Sequence, residues 1–168
     1  MGRGLVEPTR FLRSVTGIDA DWLRSQGIRA LLLDIDNTLV SREAESATDE
    51  VKGWLSDLVK AGFKPCLVTN NWHRVVLQHA SELGLPIVRK AMKPLPFAFI
   101  KALQILGVSR KQAVVVGDQM ITDILGAHLA GMKSVLVLPL TETDLLHTRL
   151  FRKLEPLLLG DRKPEQTE

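Results

Sequence analysis

The sequence is poor in the residues that define several classes of protein. Its 168 residues include one cysteine, no tyrosine and only 5% aromatic residues. The lone cysteine, Cys66, excludes a disulfide framework and is expected to pack in its apolar stretch rather than react. No apolar run approaches the roughly 18 residues that a membrane-spanning helix needs. The first residues lack the apolar core of a secretion signal, so the cytosol, with contact at a membrane surface as an option, is the expected compartment.

Neither sign of charge dominates, because the chain has 22 basic and 19 acidic residues and a net charge of only +3. That balance is too mild to indicate nucleic-acid binding, and the few aromatics offer no stacking platform for single strands. No histidine has the spacing to a second ligand that a zinc site requires. Residues 61–112, however, hold eight lysines and arginines and a single acid, Glu82. This basic middle portion predicts a partner that carries negative charge.

What the sequence does contain is a regular alternation of short apolar runs and amphipathic segments of helical length. Strands are predicted at 28–34, 64–69, 86–90, 113–118 and 133–139, with helices at 48–61, 72–83, 95–106 and 121–130. This alternation predicts an α/β fold with a Rossmann-like, doubly wound parallel sheet in three layers. Linkers are short, so one domain is expected over 1–168, with a helical lead-in over 1–27 and an amphipathic segment and tail over 141–168.

The stretch LLLDIDNTLV, residues 31–40, places Asp34 and Asp36 directly after an apolar run. An ordinary turn would explain Asp36 with Asn37, but it explains less well why a second acid projects from the same side of the chain. Like charges this close need a cation between them. In VVVGDQMITD, two further acids, Asp118 and Asp123, follow another apolar run, where a capped strand-to-helix turn is the alternative explanation.

Ligands of open parallel sheets bind beyond the carboxyl ends of the strands, so these four acids are expected at one edge, where oxygen ligands suit Mg²⁺. The stretch LVTNN ends its strand with Thr69 and Asn70, neutral groups that can donate to phosphate, although a plain helix cap is the alternative. Lys93, stiffened by Pro94, is the favoured phosphate-binding cation, and Lys90 is the second choice.

Together these motifs, DIDNT, TNN, KP and GDQxxTD, resemble those of the haloacid dehalogenase (HAD) superfamily over residues 34–123. Within subfamily IIIA the chain looks like the YqeG-type branch, which is related to phosphatidylglycerophosphate phosphatases. The resemblance implies a HAD-like fold and a phosphatase in which Asp34 forms an aspartyl-phosphate. Asp36 would protonate the leaving alcohol and then activate water.

The same resemblance implies the remaining roles. Thr69 and Asn70 would hold phosphoryl oxygens, and Lys93 would neutralise charge on the transferring group. Mg²⁺ would be bound by Asp34, Asp118 and the backbone carbonyl of Asp36. Asp123 would act through water or by orienting the lysine.

Many members of this superfamily carry a cap domain near the first or second motif, but both gaps here hold only a loop, a helix and a strand. An uncapped site favours a substrate whose bulk stays outside, and phosphatidylglycerophosphate, an anionic lipid, is the favoured one. A soluble sugar or nucleotide phosphate and a non-catalytic phosphate-binding scaffold are the alternatives. The basic amphipathic stretch near residues 146–154 is expected either to touch a membrane or to pack on the domain. The sequence does not fix the oligomeric state.

Overall fold

A six-stranded, all-parallel sheet in the order β1-β6-β5-β2-β3-β4 forms the centre of the computed structural model, which describes residues 6–141 and 162–165. The strands are β1 (Arg10–Leu12), β2 (Ala30–Leu33), β3 (Lys64–Val68), β4 (Ile87–Val88), β5 (Ala113–Gly117) and β6 (Lys133–Val137). The α-helices are α1 (Ala20–Ser25), α2 (Asp49–Lys60), α3 (Val75–Leu83), α4 (Phe97–Leu106) and α5 (Leu125–Leu129). Short 3₁₀ turns cover Val15–Gly17 and Arg110–Gln112, and a π-helical turn covers Met120–Ile124.

The central strand β2 explains why its sequence is apolar throughout. All four of its residues are buried, and successive side chains enter two different cores. Leu31 and Leu33 pack with α1, α2 and α3 on one face, whereas Ala30 and Leu32 pack with α4 and α5 on the other. A parallel strand that is covered on both faces must be apolar at every position. The predicted three-layer, doubly wound α/β fold is therefore confirmed.

The helix ends follow from local sequence signals. Thr48 accepts a hydrogen bond from the Val51 amide and so caps the start of α2. Gly84 and Gly107 adopt left-handed conformations, with φ of 64° and 65°, and end α3 and α4 where the next strand must begin. Each predicted strand and helix is found, and its ends move by at most three residues when the π-helical turn Met120–Ile124 is counted with α5.

The helical lead-in predicted over 1–27 was wrong for Arg10–Leu12, which form edge strand β1. This strand runs parallel to β6, with Arg10 opposite Val135 and Leu12 opposite Val137. Three residues are too few to show a strand periodicity, and the pairing depends on β6, more than a hundred residues away. Arg10 also binds the carboxylate of Glu165 at 2.6 Å, which holds residues 162–165 against this edge.

The two segments where the resemblance would allow a cap domain hold only a loop before α2 and the helix α3 before β4. Among the described residues, no helix combines the length and the apolar character needed to cross a bilayer. The predicted amphipathic segment lies outside the described residues. The leucines of that prediction are Leu146, Leu150 and Leu154, and its basic residues are Arg149, Arg152 and Lys153.

Candidate active site

The polar residues predicted from the motifs meet at one edge of the sheet. Asp34 follows β2, Thr69 follows β3 and Asp118 follows β5. β2 lies between β3 and β5, with Leu33 opposite both Leu67 and Val116, so these three strand ends are adjacent. The carboxyl edge of the central strands is therefore the candidate site, as the motif positions predict.

Lys93 links two of the predicted acids inside the protein. Its Nζ atom lies 2.7 Å from Asp34 Oδ1 and 2.7 Å from Asp123 Oδ1, and its side chain is only 2% exposed. Lys90, the second choice, points elsewhere, with its Nζ atom 4.8 Å from the centroid of the Trp72 ring. The lysine that reaches the acids is thus the one that precedes Pro94.

Three carboxylates converge beside this lysine. Each of Asp34, Asp118 and Asp123 offers an oxygen within 4.8 Å of the others, and all three residues are buried. The Thr38 hydroxyl lies 3.2 Å from Asp118 Oδ1 and 3.4 Å from Asp34 Oδ2, so it can donate to either. Asp34 and Asp123 share the Lys93 ammonium, and a third buried carboxylate beside them concentrates negative charge that a divalent cation would offset. Hard oxygen donors in this number fit Mg²⁺.

The ionisation of the cluster follows from burial and from the lysine. Burial raises the pKa of Asp34 to about 7, although the Lys93 ammonium acts to lower it. For Lys93, burial alone would lower the pKa, but the carboxylates of Asp123 and Asp34 outweigh it and raise the pKa above its ordinary value. The lysine therefore stays charged, whereas Asp34 needs further positive charge nearby to be fully ionised at neutral pH.

Asp36 lies apart from the three-acid cluster and has its own partners. Its carboxylate accepts from Asn71 Nδ2 at 3.1 and 3.2 Å, and the Thr69 hydroxyl lies 3.4 Å from Asp36 Oδ2. The residue is only half-buried, so water can reach it. The sequence-based set of site residues did not include Asn71, although the second asparagine of TNN was the available signal.

Asn70 was predicted to hold a phosphoryl oxygen, and that role stays a prediction. Its side-chain amide is bonded to the backbone of Lys93: Asn70 Oδ1 accepts from the Lys93 N–H at 2.7 Å, and Asn70 Nδ2 donates to the Lys93 carbonyl at 3.1 Å. Both ends of the amide therefore fix the loop that carries the lysine.

Asn37, which follows Asp36, ties the first motif to the chain beyond β6. It adopts a left-handed conformation with φ of 64°, which asparagine tolerates better than most residues. Its Nδ2 atom donates to the Thr141 carbonyl at 3.1 Å, and the Thr141 hydroxyl donates to Asn37 Oδ1 at 2.8 Å. Sequence analysis gave no sign of this contact, because the two residues are far apart in the chain.

Gly117 gives a direct test of the cluster, because Asp123 packs against the bare backbone there. A Cβ atom on Gly117 would overlap the side chain of Asp123. We expect Gly117→Ala to displace Asp123 and to weaken Mg²⁺ binding by about tenfold, in line with the loss of a supporting contact at a metal site. The measurement is the Mg²⁺ concentration that gives half of the maximal thermal stabilisation.

The matched control is Gly53→Ala in α2, where nothing lies within 4 Å of an added Cβ. This change is expected to stabilise the protein by about 0.5–1 kcal/mol, because alanine is the better helix former, and to leave Mg²⁺ binding unchanged. Equal Mg²⁺ affinity in the two variants would contradict a role for the Asp123 position in the metal site.

A family model described as HAD-hydrolase-like matches residues 91–144, which include Lys93, Asp118 and Asp123. The chain is 32% identical over 156 residues to the probable phosphatase YqeG of Bacillus subtilis (strain 168), an alignment that covers 93% of this chain and 91% of that protein.

Solved structures share the fold at lower identity. An uncharacterised protein from Listeria monocytogenes serotype 4b superimposes with a TM-score of 0.55 at 19% identity, covering 71% of this chain and 86% of that one. The cobalt-bound deoxy-D-mannose-octulosonate 8-phosphate phosphatase of Haemophilus influenzae also gives a TM-score of 0.55, at 14% identity and with 79% and 88% coverage.

Proposed function

This chain is a phosphatase of the haloacid dehalogenase superfamily, and from that premise we propose that it hydrolyses phosphatidylglycerophosphate through a phosphorylated Asp34, with Mg²⁺ as cofactor. The observation that carries the proposal is the pairing of Lys93 with Asp34 and Asp123 at 2.7 Å inside the acidic cluster. A buried carboxylate held by a fixed cation at the open edge of the sheet is suited to nucleophilic attack on phosphorus.

In the first displacement, an oxygen of Asp34 bonds to phosphorus while the bond from phosphorus to the ester oxygen breaks. The leaving alcohol takes a proton from Asp36. Thr69 and Asn71 support this role, because their hydrogen bonds hold the Asp36 carboxyl group beside the cluster rather than within it. A half-buried acid at this position can exchange its proton with solvent between turnovers.

In the second displacement, water attacks the phosphorus of the aspartyl-phosphate and gives its proton to Asp36. The bond between phosphorus and Asp34 breaks, which regenerates the carboxylate and releases inorganic phosphate. Thr69 and Asn70 would bind the phosphoryl oxygens, and the Lys93 ammonium would offset negative charge on the transferring group. Covalent catalysis thus divides one difficult displacement into two easier ones.

Asp34 and Asp118 would hold the Mg²⁺ ion, together with the backbone carbonyl of Asp36. The ion supplies positive charge that offsets repulsion between the substrate phosphate and the acids. Asp123 is suited to a supporting role, because one of its oxygens accepts from Lys93 and the other from the Gln119 N–H at 3.2 Å. Because both oxygens of Asp123 have partners inside the protein, Asp34 is the acid that we propose attacks the substrate.

Two features support a lipid substrate over a small metabolite. The described chain has no cap domain over the site, so a substrate can present its phosphate while the rest of it stays outside. The motifs also resemble the branch related to phosphatidylglycerophosphate phosphatases. An open site does not exclude a soluble sugar or nucleotide phosphate, so the test compares the substrates directly.

The test is phosphate release from three substrates with Mg²⁺: phosphatidylglycerophosphate in mixed micelles, a panel of sugar and nucleotide phosphates, and p-nitrophenyl phosphate. We expect the lipid to give the highest kcat/KM by about 100-fold or more, because bound remote groups contribute to transition-state stabilisation. EDTA should abolish release in every case, and excess Mg²⁺ should restore it.

Each alternative has its own signature. A higher kcat/KM for a soluble ester would overturn the lipid assignment and keep the phosphatase. Binding of phosphate without turnover of any ester would support the non-catalytic scaffold.

A further inference from the structure

Exposed apolar side chains collect around the candidate site. Four of them, defined here as the apolar rim, are Trp72, Met92, Leu95 and Phe97. All four lie in, or directly after, the loops that leave the carboxyl ends of β3 and β4. Ile105 and Leu129, which are also exposed, lie singly near the ends of helices that lead to the opposite edge of the sheet.

The aromatic residues of the described chain make the rim unusual. Trp72 is 64% exposed and Phe97 is 66% exposed, whereas every other described aromatic side chain is buried or half-buried. In a protein with only 5% aromatic residues, these two exposed rings lie beside the site and outside the core. Tryptophan and phenylalanine at a surface are typical of contact with a membrane interface or a partner.

The rim is continuous with the site. The Ala91 N–H donates to the Thr69 carbonyl at 3.0 Å, and Asn70 bonds the Lys93 backbone, so the two loops lie side by side. Within the second loop, the Leu95 N–H donates to the Met92 carbonyl at 3.0 Å, which sets these two side chains on one turn. A surface that received the rim would therefore also face the carboxylate cluster.

The charged residues that lie closest to the rim in the sequence are positive. Lys90 lies over the Trp72 ring, with its Nζ atom 4.8 Å from the centroid, and exposed Arg74 follows two residues after that ring. The sole acid between residues 61 and 112 is Glu82, near the C-terminal end of α3 and away from the rim. Cations next to exposed aromatics complement an anionic lipid surface, where headgroups attract the cations and the rings enter the interface.

We propose that the apolar rim, with Lys90 and Arg74, docks the protein on an anionic phospholipid bilayer so that the candidate site faces the lipid headgroups. This inference rests on the proposed function, because docking presents the phosphate of a membrane-resident ester to Asp34 while its acyl chains stay in the bilayer. A bilayer fits the open edge of the sheet, because it can cover this edge in place of a cap domain.

The test is sedimentation of the full chain with vesicles of phosphatidylcholine alone or mixed with phosphatidylglycerol. We expect binding to the mixed vesicles, and a loss in Trp72→Ala/Phe97→Ala of about tenfold or more in the partition coefficient, given the free energy of burying such side chains. The matched control is Ile105→Ala/Leu129→Ala, which removes apolar groups that are 50% and 54% exposed and lie far from the site, and it should bind like the wild type. Thermal unfolding verifies that both variants fold.

A charge variant tests the contribution of Lys90 to vesicle binding separately from that of the apolar rim. Lys90→Ser should weaken binding to mixed vesicles by about fivefold, and added salt should remove the difference, because the attraction of one cation to anionic lipid is modest and screened. Equal binding by the rim variant and its control would overturn the inference. So would a concentration-dependent dimer that the rim variant abolishes, since the rim would then be an interface between two copies.

Vesicle docking and hydrolysis of the lipid are separate hypotheses, and each can be contradicted without the other. Wild-type protein that hydrolyses phosphatidylglycerophosphate in detergent micelles but does not bind vesicles would overturn the docking and leave the proposed function standing. Vesicle binding that depends on the rim, without hydrolysis of that lipid, would support the docking and overturn the proposed substrate.

Discussion

Asp34→Asn is expected to lower phosphate release by about 10⁴-fold or more, because the variant keeps the shape of the side chain and loses the attacking oxygen. The loss should be the same for a lipid ester and for p-nitrophenyl phosphate, since both need the nucleophile. The measurement is kcat/KM with saturating Mg²⁺.

The informative comparison is Asp36→Asn, in which the nucleophile is intact but the proton carrier is gone. With p-nitrophenyl phosphate, whose leaving group needs no proton, this variant should form the phosphorylated protein and then hydrolyse it slowly. Mass spectrometry of acid-quenched protein should find one phosphoryl group on the peptide that contains Asp34. A phosphoryl group on any other residue would contradict the assignment of the nucleophile.

The fold should tolerate the loss of Asp34. Its carboxyl group has an ordinary pKa of 3.8 and a pKa raised to about 7 in the metal-free protein, because burial disfavours the charge. A raised pKa means that the stability contributed by the neutral group is complete at low pH and is lost as the pH rises from about 4 to about 7. Asp34→Asn has no carboxyl group to ionise at this position, so its stability does not fall in this pH range. Without metal it should therefore be no less stable than the wild type at pH 8.

The sequence predicted the fold well because its signals were local. Unbroken apolar runs marked buried parallel strands, and Gly84 and Gly107 marked where helices stop. β1 was missed, because only the pairing of Arg10–Leu12 with β6 defines it as a strand. The meeting of the motif residues at one edge of the sheet was also predictable, because parallel strands bring their carboxyl ends together.

The hydrogen bonds within the site were not predictable to the same degree. Sequence analysis treated Asn70 as a phosphate ligand, yet its side-chain amide bonds the Lys93 backbone, and the neighbouring Asn71 holds Asp36. Which of two adjacent asparagines points where depends on the path of the loop, and the sequence does not specify that path. The contact between Asn37 and Thr141 likewise depends on the path of the chain after β6, a strand that β5 separates from β2 in the sheet.

Lys93→Met should damage both stability and turnover, in contrast to Asp34→Asn. Methionine preserves much of the length and apolar stem of lysine but leaves the buried carboxylates of Asp34 and Asp123 without the cation that pairs with them. We expect the free energy of unfolding in EDTA to fall by about 3–5 kcal/mol, the usual cost of breaking a buried ion pair by removing one partner. Turnover should fall by about 10²–10³-fold, because a fixed charge at the transferring group is lost. Urea denaturation and kcat measure the two effects.

The pattern of rescue distinguishes electrostatics from packing. Mg²⁺ should restore part of the lost stability, because it supplies positive charge to the same carboxylates. The deficit should be smaller at pH 5 than at pH 8, because Asp34, whose pKa burial raises to about 7, is protonated at pH 5 and then no longer repels the other carboxylates. Lys101→Met, an exposed position on α4, should change stability by no more than about 0.5 kcal/mol at either pH. A Lys93→Met deficit that neither Mg²⁺ nor acid reduces would mean that the lysine stem, rather than its charge, stabilises this edge of the sheet.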